Sequence, residues 1–82
     1  MDALIYTKQA CPHCDRAKNL LAARGVKFSL VDCTFSTALT NEMIARSKGR
    51  KTYPQVFLDG IHVGGADELE ILDAAGGLIV AA

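Results

Sequence analysis

The spacing of apolar residues changes several times along the chain, and each change predicts a new strand or helix. Residues 3–6 are almost all apolar, which predicts a strand in the interior of a sheet. Residues 12–24 repeat apolar side chains at helical intervals, and Gly25 predicts where that helix ends. Residues 27–31 alternate polar and apolar side chains and therefore predict a second strand. A strand, a helix and a strand in this order predict two parallel strands joined by a right-handed crossover.

The middle of the chain predicts a second helix and a hairpin. After a polar loop at residues 32–37, residues 38–47 place their apolar side chains on one side of a helix. Residues 55–58 and 61–63 form two short runs on either side of Asp59-Gly60. This dipeptide suits the tight type I′ turn, so we expect the two runs to be antiparallel strands.

The last part of the chain predicts a third helix. Gly64-Gly65 interrupts the preceding strand, and Asp67 followed by Glu70 has the spacing of a capping box. We therefore expect Asp67 to be the N-cap of a helix at residues 68–75, and the apolar residues 78–80 to lie against the body of the protein. The complete order predicts an α/β fold, in which a βαβ unit and a ββα unit share one four-stranded mixed sheet with three helices.

Length, charge and cysteine content limit the class of protein. The chain has 82 residues, which predicts a single domain over residues 1–82. Its formal net charge is zero, so composition favours neither nucleic acid nor a membrane surface as a partner. The sequence has no apolar run long enough to span a membrane, and Met1-Asp2 leads directly into the first strand, so we expect no signal peptide. Three cysteines do not make a secreted disulfide framework, and we expect a monomer in the reducing cytoplasm.

Cys11-Pro12-His13-Cys14 is the segment with the most evident chemistry. Proline suits the first position of a helix, so Pro12 places Cys11 at the N-cap and Cys14 one turn on. There the amides of His13 and Cys14 point at the Cys11 sulfur, at the positive end of the helix dipole. This environment stabilises a thiolate, the reactive form of cysteine, and Cys14 lies near enough to close a disulfide. The segment therefore predicts a redox site with Cys11 and Cys14 as its catalytic pair.

A zinc site is the alternative use of two cysteines at this spacing. A structural zinc ion takes about four ligands, and only His13, Cys33 and His62 remain as candidates beside the pair. The sequence has no second CxxC, so we expect no bound metal. We expect Cys33 to be a buried or half-buried bystander, and His62 to lie at the surface or at the edge of the sheet.

Four separated segments resemble the glutaredoxin family. They are Ile5-Tyr6-Thr7-Lys8, Cys11-Pro12-His13-Cys14, Gly49-Arg50-Lys51-Thr52-Tyr53-Pro54 and Gly64-Gly65-Ala66-Asp67. Members of that family typically carry CPYC, TVP and GG-x-D in the last three. The resemblance implies a thioredoxin-like fold and an enzyme that reduces protein disulfides, and mixed disulfides between proteins and glutathione. It implies no permanently bound cofactor, with glutathione as the reducing co-substrate.

The resemblance also implies a groove for glutathione, a tripeptide with two carboxylates and one amine. We expect Lys8 and Arg50 to hold the carboxylate of its glycine, and Tyr53 to pair through its backbone with its cysteine. The amides of Ala66 and Asp67 would bind the γ-glutamyl carboxylate, and the Asp67 side chain would pair with the amine. Taken singly, each residue has a plainer role, such as a solvated lysine or a helix cap. The residues expected to contact glutathione are Lys8, Cys11, His13, Arg50, Thr52, Tyr53, Pro54, Gly65, Ala66 and Asp67.

Three residues are expected to support the two cysteines: Pro12, His13 and Pro54, the last as a cis proline beside the reactive sulfur. Two positions depart from the family pattern. His13 replaces the usual tyrosine, and we hypothesise that it stabilises the reduced Cys11 thiolate and makes the protein more oxidising. Tyr53 replaces valine and is expected to narrow the groove.

Two other functions remain open at the level of the sequence. The first is a redoxin that is reduced by a thioredoxin reductase and supplies electrons to ribonucleotide reductase, although such proteins usually lack GG-x-D and the cationic groove. The second is a binding protein in which two chains and glutathione hold a [2Fe–2S] cluster. Family members with proline after the first cysteine seldom hold clusters, so the oxidoreductase is the leading prediction.

Overall fold

Strands and helices alternate along the chain in the computed structural model, which describes residues 1–78. The strands are β1 (Asp2–Thr7), β2 (Lys27–Asp32), β3 (Gln55–Leu58) and β4 (Ile61–Gly64), and the helices are α1 (Pro12–Ala23), α2 (Thr37–Arg46) and α3 (Ala66–Ala74). Every predicted element is present, and the predicted α/β fold with four strands and three helices is confirmed. No helix among these residues is long and apolar enough to cross a membrane.

The sheet has the strand order β2-β1-β3-β4. Strand β1 is parallel to β2 and antiparallel to β3, and β4 is antiparallel to β3. The apolar strand β1 therefore lies in the interior of the sheet, as its composition predicts. In the hairpin, Asp59 and Gly60 have φ angles of 49° and 83°, the left-handed pair of conformations that a type I′ turn requires.

The alternation of side chains along the central strands builds a core on each face of the sheet. On one face, Ile5 and Val56 pack with Leu21 of α1 and Leu69 of α3. On the other, four buried side chains form the core beneath α2: Tyr6, Cys33, Met43 and Phe57. Since neighbouring residues of a strand point to opposite faces, helices α1 and α3 share one side of the sheet and α2 covers the other.

Helices α1 and α3 are also joined by an ion pair at the end remote from the cysteines. Arg24 donates from Nε to Asp73 Oδ1 at 2.7 Å and from Nη2 to Oδ2 at 2.9 Å. The hydrogen bonds and positive charge of this guanidinium lower the pKa of the Asp73 carboxyl. The pairing is bidentate, which fixes the relative direction of the two side chains as well as their distance.

The start of α3 differs from the prediction. Its N-cap is Gly65 and not Asp67, because the helix begins directly after the glycine pair that ends β4. Glu68 occupies the third helical position and accepts a hydrogen bond from the Gly65 amide at 3.3 Å. The predicted contact of the tail with the body is confirmed for Leu78, which is buried, while residues 79 and 80 lie outside the described residues.

Candidate active site

The two cysteines sit at the N-terminus of α1 in the predicted arrangement. Cys11 is the N-cap in an extended conformation, and Pro12 is the first residue of the helix. The Cys14 amide donates to the Cys11 sulfur at 3.3 Å. The Cys14 thiol also donates to that sulfur, and the two sulfur atoms are 2.6 Å apart. Two donors from one residue therefore converge on the Cys11 sulfur.

Exposure and acidity distinguish the two thiols. Cys14 is 1% exposed and Cys11 is 8% exposed. Burial, followed by the hydrogen bond to Cys11, raises the pKa of the Cys14 thiol, so Cys14 is a protonated thiol near neutral pH. Cys11 lines a hollow at the surface, whereas Cys14 lies beneath it. Cys11 is therefore the more accessible of the two thiols.

Two adjoining hollows lie at this end of α1, and Cys11 lines one of them. The lysine hollow is lined by Lys8, Ala10, Cys11, Pro12, His13, Lys51, Thr52 and Tyr53. The α3 hollow is lined by His13, Arg16, Arg50, Thr52, Tyr53, Pro54, Gly65, Ala66, Asp67 and Glu68. The two share His13, Thr52 and Tyr53, so they form one continuous groove. Every residue that the sequence predicts for the glutathione groove lines one hollow or the other.

The structure separates the two cations that were expected to share one carboxylate. Lys8 lines the lysine hollow, but Arg50 lines the α3 hollow and donates to Glu68. This ion pair lowers the pKa of the Glu68 carboxyl. Lys51, which sequence reasoning did not single out, is the second cation of the lysine hollow. The sequence of a basic loop does not reveal which of the two hollows each side chain enters.

Gly64 and Gly65 lie where the start of α3 comes close to the loop that carries Pro54. Gly64 has a φ of 126°, and a Cβ there would lie 2.7 Å from Glu68 Oε1 and 2.9 Å from Arg50 Nη1. A Cβ at Gly65 would lie 3.4 Å from the Pro54 carbonyl oxygen. Gly64 thus has both a backbone conformation and a contact that favour glycine. The pair does more than end a strand, because Gly64 makes room for Glu68 and Arg50, and Gly65 lines the α3 hollow.

The loop opposite α3 has the backbone that the family resemblance implies. The Tyr53–Pro54 peptide bond is cis, and Pro54 lines the α3 hollow beside Gly65 and Ala66. Strand β3 begins directly afterwards at Gln55, so the loop stays next to the sheet. The rim of the groove is therefore continuous with the central strands, which hold it in place.

Arg16 is a part of the site that sequence reasoning missed. Its Nη2 atom donates to Asp67 Oδ1 at 3.0 Å and also to Glu70. Its Nη1 atom lies 2.7 Å from His13 Nδ1. Arginine can only donate, so Nδ1 is the acceptor and a neutral His13 ring carries its proton on Nε2. The spacing of His13 and Arg16 on one helix face was the available signal, since residues three apart are neighbours there.

The third cysteine and the second histidine lie outside the groove. Cys33 is 3% exposed in the core beneath α2, so its predicted buried position is confirmed. Burial raises the pKa of its thiol. His62 lies on the edge strand β4, as predicted, and its Nε2 donates to Gln55 Oε1 at 2.7 Å. Burial, followed by the positive charges of Arg50 and Lys48, lowers the pKa of His62. Within residues 1–78, no three His, Cys, Asp or Glu side chains are grouped to hold a metal ion.

Comparison with known proteins gives one consistent result. The family model described as Glutaredoxin matches residues 3–63. Glutaredoxin 3 of Escherichia coli (strain K12) is 53% identical over 74 residues, which cover 90% of this chain and 88% of that protein. A glutaredoxin of Pseudomonas aeruginosa is 44% identical over 75 residues, which cover 92% of this chain and 88% of the relative.

Solved structures agree with the sequence comparisons. The glutaredoxin of Brucella melitensis superposes with a TM-score of 0.81 at 45% identity, covering 95% of this chain and 84% of the other. The buckwheat glutaredoxin in its glutathione complex gives a TM-score of 0.83 at 25% identity, covering 93% and 71% respectively. The two neighbouring thiols at a helix N-terminus fit these comparisons, and the chain belongs to the glutaredoxin family and is a thiol–disulfide oxidoreductase.

Proposed function

We propose that glutathione is both the reductant and the ligand of the groove, and that Cys11 is the nucleophile with Cys14 as the resolving thiol. One observation carries the proposal: all the residues expected to contact glutathione line two joined hollows, one of which is lined by Cys11. A buckwheat member of the family has been solved in complex with glutathione. The proposal extends that ligand to this chain.

The charges of the two hollows differ in a way that suits glutathione. Lys8 and Lys51 in the lysine hollow make no salt bridge within the described part of the chain, so two cations are available for the carboxylate of the glycine. At the other end, three carboxylates accompany two guanidiniums. They are Asp67, Glu68 and Glu70 with Arg16 and Arg50. The surplus carboxylate favours an ammonium group there, as glutathione carries at its γ-glutamyl end.

The backbone supplies the remaining contacts of the proposal. The first amides of a helix have no partner within it, so those of Ala66 and Asp67 can bind the γ-glutamyl carboxylate. Tyr53 precedes a proline in an extended segment, where its backbone can pair with the cysteine of glutathione. Asp67 already receives Arg16 at 3.0 Å, so the ligand amine joins or replaces an existing charged contact.

The proposed reaction is thiol–disulfide exchange in two steps. The Cys11 thiolate attacks the glutathione sulfur of a glutathionylated protein, a Cys11–glutathione disulfide forms, and the protein leaves as a thiolate. The thiolate of a second glutathione then attacks the bound glutathione sulfur, so oxidised glutathione forms and Cys11 leaves as a thiolate. The amide and thiol of Cys14 donate to the Cys11 sulfur, which makes Cys11 a good leaving group.

Protein disulfides use both cysteines in this proposal. Cys11 attacks one sulfur of the substrate, and Cys14 loses its proton and attacks Cys11, which releases the reduced protein and leaves a Cys11–Cys14 disulfide. Two glutathione molecules then reduce that bond and become oxidised glutathione. Glutathionylated and disulfide-containing proteins are the proposed partners, in the cytoplasm and with a monomeric enzyme. Ribonucleotide reductase as a particular partner stays a prediction.

The test is reduction of a glutathionylated mixed disulfide, coupled to glutathione reductase and NADPH. We expect turnover by the wild type, its loss in Cys11→Ser and its retention in Cys14→Ser. With a protein disulfide as substrate, Cys14→Ser should be inactive as well. Absence of turnover by the wild type, with reduction restored by a thioredoxin reductase, would reject glutathione and support the redoxin alternative.

A further inference from the structure

We propose that the side chain of Tyr53 is a positioning residue that holds the Lys8 ammonium at the mouth of the lysine hollow. The Lys8 ammonium lies over the face of the Tyr53 ring, 5.5 Å from its centroid. Both residues line the lysine hollow beside Cys11. The inference rests on the proposed function, in which Lys8 binds a carboxylate of glutathione. It adds that the tyrosine ring, and not only its backbone, takes part in recognition.

The Tyr53 side chain also contacts α2 and the core beneath it. Its hydroxyl lies 3.1 Å from Thr40 Oγ1, and Thr40 belongs to α2. The ring packs against the core beneath α2, which includes Cys33 and Met43. A valine at this position, as is typical of the family, has neither a hydroxyl to reach Thr40 nor an aromatic face. The tyrosine therefore connects α2 to the rim of the groove.

Lys8 needs such a support because it has few other contacts. It is exposed and makes no salt bridge among residues 1–78. A free lysine loses rotational freedom when it binds a ligand, and a ring that already restricts it lowers that loss. The ammonium has three donors, so its contact with the ring leaves N–H groups for a carboxylate. A cation over an aromatic ring at an exposed site corresponds to an effect on affinity of about two- to fivefold.

The first test compares steady-state kinetics of four variants with a glutathionylated substrate. Tyr53→Val should raise KM about two- to fivefold without a matching fall in kcat. Tyr53→Phe loses the contact with Thr40 but keeps the aromatic ring, and should therefore keep the low KM of the wild type. Lys8→Met should raise KM, and Tyr53→Val combined with Lys8→Met should be no worse than Lys8→Met alone. Additive effects of the two changes would overturn the inference, as would an unchanged KM in Tyr53→Val.

The second test needs no ligand and therefore remains informative if glutathione is not the substrate. A proton over an aromatic face is shifted upfield in an NMR spectrum by the ring current. The methylene protons next to the Lys8 ammonium should be shifted in the wild type and in Tyr53→Phe, and should return to ordinary values in Tyr53→Val. Lys51 serves as the internal control in the same hollow. Lys8 signals that do not differ between wild type and Tyr53→Val would refute the positioning role on their own.

Discussion

Replacement of Gly64 by alanine, with Gly65→Ala as its matched control, tests what the glycine pair does. At Gly64 the backbone has a φ of 126°, and an added Cβ would lie 2.7 Å from Glu68 Oε1 and 2.9 Å from Glu68 Cγ. Glu68 would have to move, and with it the ion pair to Arg50 and the hydrogen bond from the Gly65 amide. At Gly65 the φ is −90°, and the nearest atom to an added Cβ is the Pro54 carbonyl oxygen at 3.4 Å.

The two variants make the same glycine-to-alanine exchange, so the difference between their stabilities comes mainly from backbone strain. Strain at a conformation that glycine alone adopts easily costs about 1–3 kcal/mol, and the lower entropy of the unfolded chain returns about 0.4–1 kcal/mol. At Gly65, alanine stabilises the helix as an N-cap somewhat less than glycine does. The lower entropy of the unfolded chain roughly offsets this loss of stability. We therefore expect Gly64→Ala to be less stable than Gly65→Ala by about 1–2 kcal/mol.

Thermal unfolding followed by circular dichroism, and urea unfolding at 25 °C, both measure this difference. In a domain of this size each kcal/mol lowers Tm by about 4–8 °C. The expected result is a Tm for Gly65→Ala close to that of the wild type, and a clearly lower one for Gly64→Ala. Equal midpoints for the two variants would refute the argument, since they would show that the left-handed backbone and the contact with Glu68 have no energetic weight.

Three further predictions concern the cysteine outside the groove and the two histidines. Cys33→Ser should lower the free energy of unfolding by about 1–3 kcal/mol, because it puts a hydroxyl into the core, and should leave glutathionylated-substrate turnover intact. Since His62 has a lowered pKa in the folded protein, the unfolded chain takes up its proton first as the pH falls. The free energy of unfolding should therefore decrease as the pH drops below about 6.5. In His62→Gln, compared by urea unfolding at pH 7 and at lower pH, this decrease should be smaller. His13→Tyr should lower the reduction potential of the Cys11–Cys14 pair by about 30 mV, measured against glutathione buffers, and an unchanged potential would contradict a role for His13.

Local features of the site followed from the sequence because they depend on neighbouring residues. Proline has one preferred place at the start of a helix, so Pro12 determined the positions of Cys11 and Cys14 relative to the helix dipole. The uniformly apolar first strand indicated its interior place in the sheet. The Asp59-Gly60 turn likewise predicted the hairpin from its own backbone preferences.

Features that depend on tertiary contact were missed or wrong. Asp67 resembled an N-cap, but the helix starts at Gly65, because the choice depends on where β4 ends. Arg16 is an ordinary polar residue of a helix until α3 brings Asp67 to it. Arg50 and Lys51 are adjacent, and only the path of the loop decides which hollow each side chain enters.

The two arginines that cross from α1 to α3 have a mechanical consequence. Arg16 reaches Asp67 near the start of α3, and Arg24 reaches Asp73 near its end. The two arginines that make these contacts are about 12 Å apart along α1. Two contacts at opposite ends of the helix pair oppose a relative rotation that one contact would allow, so we expect α1 and α3 to move together on the sheet.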